Sequence, residues 1–227
     1  SKSADYMMRI FNVDGSEGKM SGNAIACVAK YLFDSGIVPK LTMQIETISG
    51  VRTVSLVTKN GQAIRATIEM GKPEFAPERI PVGLEGVSVI DQIVDFDGET
   101  FSITCLSLGN PHCVIFSDNI ESLRVDEIGP KIENSKLFPE RVNVEFVQVI
   151  NDKSLRIRVW ERGNGETLAC GTGACAAAVA AALNGYCKLD EDITVVLRGG
   201  KQIIRVTDDM VTMTCTPIKV FEGVIEI

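Results

Sequence analysis

One short pattern occurs twice in this chain, and it constrains the fold more than any other feature. Residues 160–175 read W-E-R-G-N-G-E-T-L-A-C-G-T-G-A-C, and residues 11–26 (F-N-V-D-G-S-E-G-K-M-S-G-N-A-I-A) align on them without a gap at an offset of 149. Phe11 falls on Trp160, Glu17 on Glu166, Ser21 on Cys170 and Gly22 on Gly171. Residues 6–11 and 155–160 alternate as strands do, and an apolar helical stretch follows each copy. Two strand–loop–helix units are therefore expected, each placing a small nucleophilic side chain at a helix N-terminus. Free N–H groups there can hold an anion, and the helix dipole lowers the pKa of a nearby thiol. Cys170 is thus a candidate base or nucleophile beside a carboxylate pocket; a buried structural cysteine at a tight turn is the plainer alternative.

The rest of the chain is rich in strands. Residues 41–47, 51–58 and 63–70 read as strands, the last two joined by the hairpin signal Lys59-Asn60-Gly61. Further strands are expected at 87–96, 99–107, 113–116 and 143–150, with Gly109-Asn110-Pro111-His112 as a polar loop, and a closing meander at 193–197, 201–207 and 210–214. Helices are expected at 24–35, closed by Gly36 and Pro39, at 120–132 and at 174–183. The fold class is α/β (α+β), with two pseudo-symmetric lobes. Each lobe is a mostly antiparallel, barrel-like sheet around a central buried helix. Residues 1–68 plus 213–227 would form one lobe and 69–212 the other, with Met70-Gly71-Lys72-Pro73 as the crossing. Too few residues precede the first strand to match the second lobe, so an opening segment is expected to be missing.

Composition narrows the function. With 45% hydrophobic residues among 227 and no apolar run of membrane length, the chain reads as soluble and globular, with no membrane partner. A net charge of −7 argues against nucleic acid. Seven scattered cysteines without a C-x-x-C pair point to a reduced, cytoplasmic protein. A lone histidine, His112, leaves no zinc pattern, and no P-loop, dinucleotide fingerprint or G-x-S-x-G elbow is present.

Several motifs together carry a family resemblance: Met8-Arg9-Ile10-Phe11-Asn12-Val13-Asp14-Gly15-Ser16-Glu17, Ser21-Gly22-Asn23, Met70-Gly71-Lys72-Pro73, Gly109-Asn110-Pro111-His112, Arg141-Val142-Asn143-Val144-Glu145-Phe146, Trp160-Glu161-Arg162-Gly163 and Ala169-Cys170-Gly171-Thr172-Gly173. The chain resembles the diaminopimelate epimerases, amino-acid epimerases of lysine and peptidoglycan-precursor synthesis that use no cofactor and no metal. Inverting a stereocentre in this way needs a base on one face of the α-carbon and an acid on the other. The resemblance implies that Cys170 is one of these groups. It implies that Gly22, Asn23, Gly171 and Thr172 supply donors to a carboxylate. Asn12, Asn110, Asn143, Glu161 and Arg162 would line the pocket, with Arg162 on a distal carboxylate and Glu161 on an ammonium. His112 would support a catalytic group. A small amino acid with two carboxylates is the implied partner, and a homodimer the implied assembly. On the residues alone, Asn12 and Asn143 read equally as turn residues, Arg162 as a solvated strand-end charge, and His112 as bonding its own loop.

The chain departs from the family at its other catalytic position. The family pattern Cys-Gly-Asn-Gly-x-Arg-Cys stands here as Ser21-Gly22-Asn23-Ala24-Ile25-Ala26-Cys27. A hydroxyl is far harder to ionise than a thiol, so Ser21 fits a two-thiol mechanism poorly. Four accounts remain open: an epimerase in which Ser21 relays the proton, a one-base isomerase, racemase or dehydratase using Cys170 on another substrate, an amino-acid-binding paralogue without catalysis, and an inactive truncated paralogue.

Overall fold

The computed structural model describes residues 1–11, 15, 17–18 and 20–224, so Asn12 lies outside the described residues. Along the chain it runs β1 (Tyr6–Met7), β2 (Ile10–Phe11), β3 (Glu17–Gly18), α1 (Gly22–Asp34), β4 (Thr42–Thr47), β5 (Gly50–Lys59), β6 (Gln62–Gly71), β7 (Val89–Phe96), β8 (Glu99–Ser107), β9 (Pro111–Phe116), α2 (Val125–Glu133), β10 (Asn143–Asn151), β11 (Ser154–Glu161), β12 (Gly165–Thr167), α3 (Gly171–Leu183), β13 (Asp192–Leu197), β14 (Gly200–Val206) and β15 (Val211–Cys215).

The internal repeat reaches further than the aligned sixteen residues. Phe11 pairs with Glu17 across β2–β3, and Trp160 with Glu166 across β11–β12, in the same register. Both hairpins lead into helices of 13 residues. A three-stranded meander then follows each helix, and a parallel strand flanks its first member: Tyr6 pairs with Ile45 in one half and Leu155 with Val195 in the other. Even the side-chain brace is duplicated. Arg9 grips Glu17 through two hydrogen bonds of 2.8 and 3.0 Å, and Arg158 grips Glu166 through two of 2.7 and 3.0 Å. The first brace lies in solvent and the second is mostly buried. The two halves join where Met213 of β15 pairs with Ile68 of β6, giving one thirteen-stranded sheet in the order β1-β4-β5-β6-β15-β14-β13-β11-β10-β9-β8-β7, with β12 on β11.

Period-2 alternation sets the inner faces. Met43 and Ile45, Val54 and Leu56, Ile193 and Val195, and Ile204 turn inward, and these side chains close over the helices. In α3 every residue from Gly171 to Ala181 is buried. Alanine permits this because it forms helix without losing side-chain entropy and is small enough for strands to pack on all sides. α1 differs. It buries Ile25, Ala26, Ala29 and Leu32 but leaves Cys27 and Tyr31 exposed, so it is amphipathic. One core cluster contains the buried faces of both helices; a second lies beneath α2, among Ile103, Phe138, Val144 and Phe146.

The helix expected over 120–132 is broken. A 3-10 turn at Ile120–Ser122 precedes α2, because the Ile120 and Leu123 carbonyls face the Arg158 guanidinium and accept from it at 2.8 Å each. The expected polar loop at 109–112 is also shorter. Gly109, at φ +95°, turns the chain, while Pro111 and His112 already belong to β9. Among the described residues, no helix is long and apolar enough to cross a membrane.

Candidate active site

Ser21 and Cys170 are the N-caps of α1 and α3. Each has extended backbone, with φ −146° and −125°, and each side chain accepts the N–H three residues on: Ala24 N to Ser21 Oγ and Gly173 N to Cys170 Sγ, both at 3.4 Å. The N–H groups of Gly22, Asn23, Gly171 and Thr172 precede the first helical i→i−4 bonds, so no carbonyl of their own helix takes them. The two helix starts converge. A Cβ on Gly171 would stand 3.5 Å from Asn23 N and 3.0 Å from Met213 Sδ, and one on Gly22 only 2.7 Å from Met213 Cε. Glycine at both positions therefore lets the two termini close around Met213, and their positive dipole ends make an anion pocket.

Beside Cys170 runs a buried polar chain. Thr172 Oγ1 lies 3.5 Å from Cys170 Sγ and accepts from Asn110 Nδ2 at 3.2 Å. Asn110 Oδ1 faces His112 Nε2 at 3.1 Å, and His112 Nδ1 lies 2.8 Å from Glu145 Oε1. An amide oxygen only accepts, so Nε2 carries a proton. Accepting from Asn110 leaves Thr172 Oγ1 a second lone pair and its own O–H, so either it or the Cys170 thiol can donate in their contact. Both His112 and Glu145 are fully buried, and burial pushes the Glu145 carboxyl up against the pull of His112.

The Cys170 thiol does not have the low pKa expected from its helix position. Burial pushes it up to about 12, and the Glu161 and Glu145 carboxylates push the same way; the bonds from Thr172 and Gly173 oppose them and lose. Desolvation of a thiolate at a site 7% exposed outweighs the dipole of one helix start. With its pKa so raised, Cys170 is a neutral thiol at neutral pH, ready as an acid. It becomes a base only once something else in the pocket compensates the charge.

The remaining candidates lie on the β11–β12 turn and β10. Glu161 accepts from Thr167 Oγ1, and the Arg162 guanidinium donates to Glu140 O at 2.9 Å. Asn143 has both ends of its amide engaged by protein: Nδ2 donates to Pro111 O and Oδ1 accepts from Arg162 N. It thus braces the turn that carries Glu161 and Arg162. His112 meets its own loop, through Asn110, and also a residue the sequence reading gave no role, Glu145. A lone acid in the apolar strand Val144-Glu145-Phe146-Val147 must find a buried partner, and the chain's only histidine was the available one. Glu133, at the end of α2, was also missed. Its carboxylate accepts from Trp160 Nε1 at 2.7 Å and Gly163 N at 2.9 Å, fixing the same turn from the other side.

Solved structures share this arrangement of paired strand–hairpin–helix units. A probable proline racemase from Agrobacterium radiobacter shares this fold over 93% of the chain and 68% of its own, with a TM-score of 0.70 at 16% identity. A hydroxyproline epimerase from Agrobacterium vitis does so over 92% and 67%, with a TM-score of 0.69 at 16% identity. The sequence model of one family, diaminopimelate epimerase, matches residues 1–76 and 104–220. A diaminopimelate epimerase from Acetivibrio thermocellus is 46% identical over 229 residues, spanning 100% of this chain and 81% of the relative, and one from Desulfovibrio desulfuricans is 47% identical over 231 residues, spanning 98% and 80%. The chain belongs to the diaminopimelate epimerase family and is an isomerase.

Proposed function

We propose that the protein interconverts LL- and meso-diaminopimelate by removing the α-proton on one face and returning a proton on the other. The observation that carries this reading is the convergence of two helix starts capped by Cys170 and Ser21. The α-carboxylate would sit on the N–H groups of Gly22, Asn23, Gly171 and Thr172, which stabilise the charge that spreads into it as the C–H bond breaks. The distal end would meet Arg162 and Glu161, which the Asn143 and Glu133 braces hold in place.

Cys170 Sγ takes the proton when it is a thiolate and gives it when it is a thiol, so one sulfur serves both directions. Ser21 stands where the opposite proton must come and go. A hydroxyl has little acidity, so Ser21 acts by positioning a water that carries the proton, and turnover is slower than a second thiol would give. We place the protein in the cytoplasm and expect it to pair as a homodimer. The reading is tested by incubating it with LL-diaminopimelate and resolving the stereoisomers. Meso product in the native protein, at least tenfold faster in Ser21→Cys, is the expected result; no meso product from either overturns it.

Ser21 also favours a second reading, in which Cys170 alone exchanges the proton on one face. That enzyme would incorporate deuterium from D₂O with no change of configuration.

A further inference from the structure

One half-buried cation has no part in the chemistry above. Arg52 lies on β5 opposite Ile45, in phase with the buried Val54 and Leu56, so its side chain leaves the strand on the inner face of the first lobe. A guanidinium taken out of water needs a carboxylate or a full set of acceptors. Arg52 has neither. Its Nη1 makes one long contact, 3.4 Å to the carbonyl of its neighbour Val51, and its Nε is buried without a partner among the described residues. Burial alone acts on its charge and pushes its pKa down, whereas Glu17 raises that of Arg9 and Glu166 that of Arg158. The chain carries 30 acidic residues against 23 lysines and arginines, so carboxylates are in excess and this cation still has none. A methionine would fill the position without the desolvation cost, and packing gives no reason for arginine.

Its place in the fold gives one. Ala63, at the start of β6, donates its N–H to Asp34 at the end of α1 at 2.8 Å, and Met70, near the end of β6, reaches within 3.4 Å of the Cβ position of Gly22 at the start of α1. β5 runs antiparallel to β6 with Val54 opposite Ile68. Arg52 and Met70, each two residues beyond that pair, therefore share the end of the lobe at which Ser21 caps α1. The turn before β5 closes on the second lobe at this end. Ser49 Oγ lies 3.9 Å from the Cβ position of Gly109, the residue before Asn110, whose side chain donates to Thr172 beside Cys170. We infer that Arg52 is a further carboxylate-binding residue of this site, left without a protein partner so that a carboxylate of the substrate becomes its ion pair. The inference rests on the reading that the helix junction takes a dicarboxylic amino acid. It adds a full positive charge to helix starts that carry only partial ones.

The test compares Arg52→Met, which removes the charge and keeps much of the bulk, with Arg52→Lys, which keeps the charge and loses the planar fork. Without ligand in low-salt buffer, Arg52→Met should melt at the temperature of the native protein or higher, because a desolvated charge without a partner is gone. Pimelate, the dicarboxylate with the carbon chain of diaminopimelate and no amines, is the probe that needs no turnover. It should raise the melting temperature of the native protein, raise that of Arg52→Lys less, and leave Arg52→Met nearly unmoved. With diaminopimelate, Arg52→Met should raise KM by roughly ten- to a hundredfold, the worth of a charged hydrogen bond, and keep kcat within about threefold. An Arg52→Met protein that melts well below the native one overturns the inference, since the guanidinium would then be structural. So does a KM equal to the native value, or a pimelate shift of the same size in all three proteins. If the native protein does not act on diaminopimelate, the functional reading falls separately and the pimelate shift decides alone. A shift lost in Arg52→Met supports the inference; a shift equal in native protein and variant, or absent from both, overturns it.

Discussion

Cys170 should resist ionisation strongly, and its surroundings set the size of the effect. Burial together with the Glu161 and Glu145 carboxylates moves the thiol from 9.0 to about 12. Three units correspond to about 4 kcal/mol against the thiolate at about 1.4 kcal/mol per unit. At pH 8 the reactive fraction is then about one in ten thousand, where an unshifted thiol of pKa 9.0 would show about one in ten. The native state holds this proton to higher pH than the unfolded chain, so its contribution is complete below pH 9 and disappears as pH rises from 9 to about 12. The assay is alkylation by iodoacetamide, followed peptide by peptide so that exposed Cys27 is scored apart from Cys170. The Cys170 rate should climb with pH without levelling off below pH 11. Glu161→Gln, which removes the larger of the two charge effects opposing ionisation, should move the profile to lower pH. A midpoint at or below 9 in the native protein would refute the claim that desolvation overrides the helix dipole.

Three further outcomes follow from the same geometry. Thr172→Val keeps the shape but removes the hydroxyl whose bond to Cys170 favours the thiolate, and should slow Cys170 alkylation at fixed pH about fivefold, the worth of roughly 1 kcal/mol of hydrogen bonding. Gly173→Ala places a Cβ 2.9 Å from buried Glu145 Oε1 and should cost about 1–3 kcal/mol in urea unfolding, whereas Gly22→Ala meets the far ends of two flexible side chains, Met213 and Met70, and should cost less. The two Arg–Glu braces should separate cleanly. Glu166→Gln, which strips the buried Arg158 of its partner, should destabilise by about 2–3 kcal/mol, read by the fluorescence of Trp160, the chain's single tryptophan, while Glu17→Gln should leave the unfolding midpoint unchanged. Arg158 holds the Glu166 carboxyl below its ordinary range, so that stabilisation is present at neutral pH and lost as pH falls through the carboxylate range.

Much of this architecture was legible because the repeat is carried by local chemistry: glycine-rich turns, N-cap side chains and alternating strands all act over a few residues. The gap-free alignment found Glu17 opposite Glu166 but began at Phe11, two residues too late to see that Arg9 stands opposite Arg158. Residues 120–132 have a helical pattern; only the approach of Arg158, a residue 35 positions beyond Leu123, explains why two carbonyls leave it. The Cys170 pKa was not legible in the sequence for a related reason. A dipole can be read from a helix start, but desolvation depends on what packs over it. Gln202, a polar residue at an inward position of an alternating strand, has a partner no local pattern could name, Asn23, 179 residues away.

The most direct test of the central claim is proton NMR of LL-diaminopimelate in D₂O with the native protein and with Cys170→Ala. The account predicts that the native protein exchanges the α-proton and accumulates the meso isomer, and that Cys170→Ala, while still folded, does neither. Exchange that persists without the Cys170 sulfur, or a native protein that exchanges nothing, would contradict it.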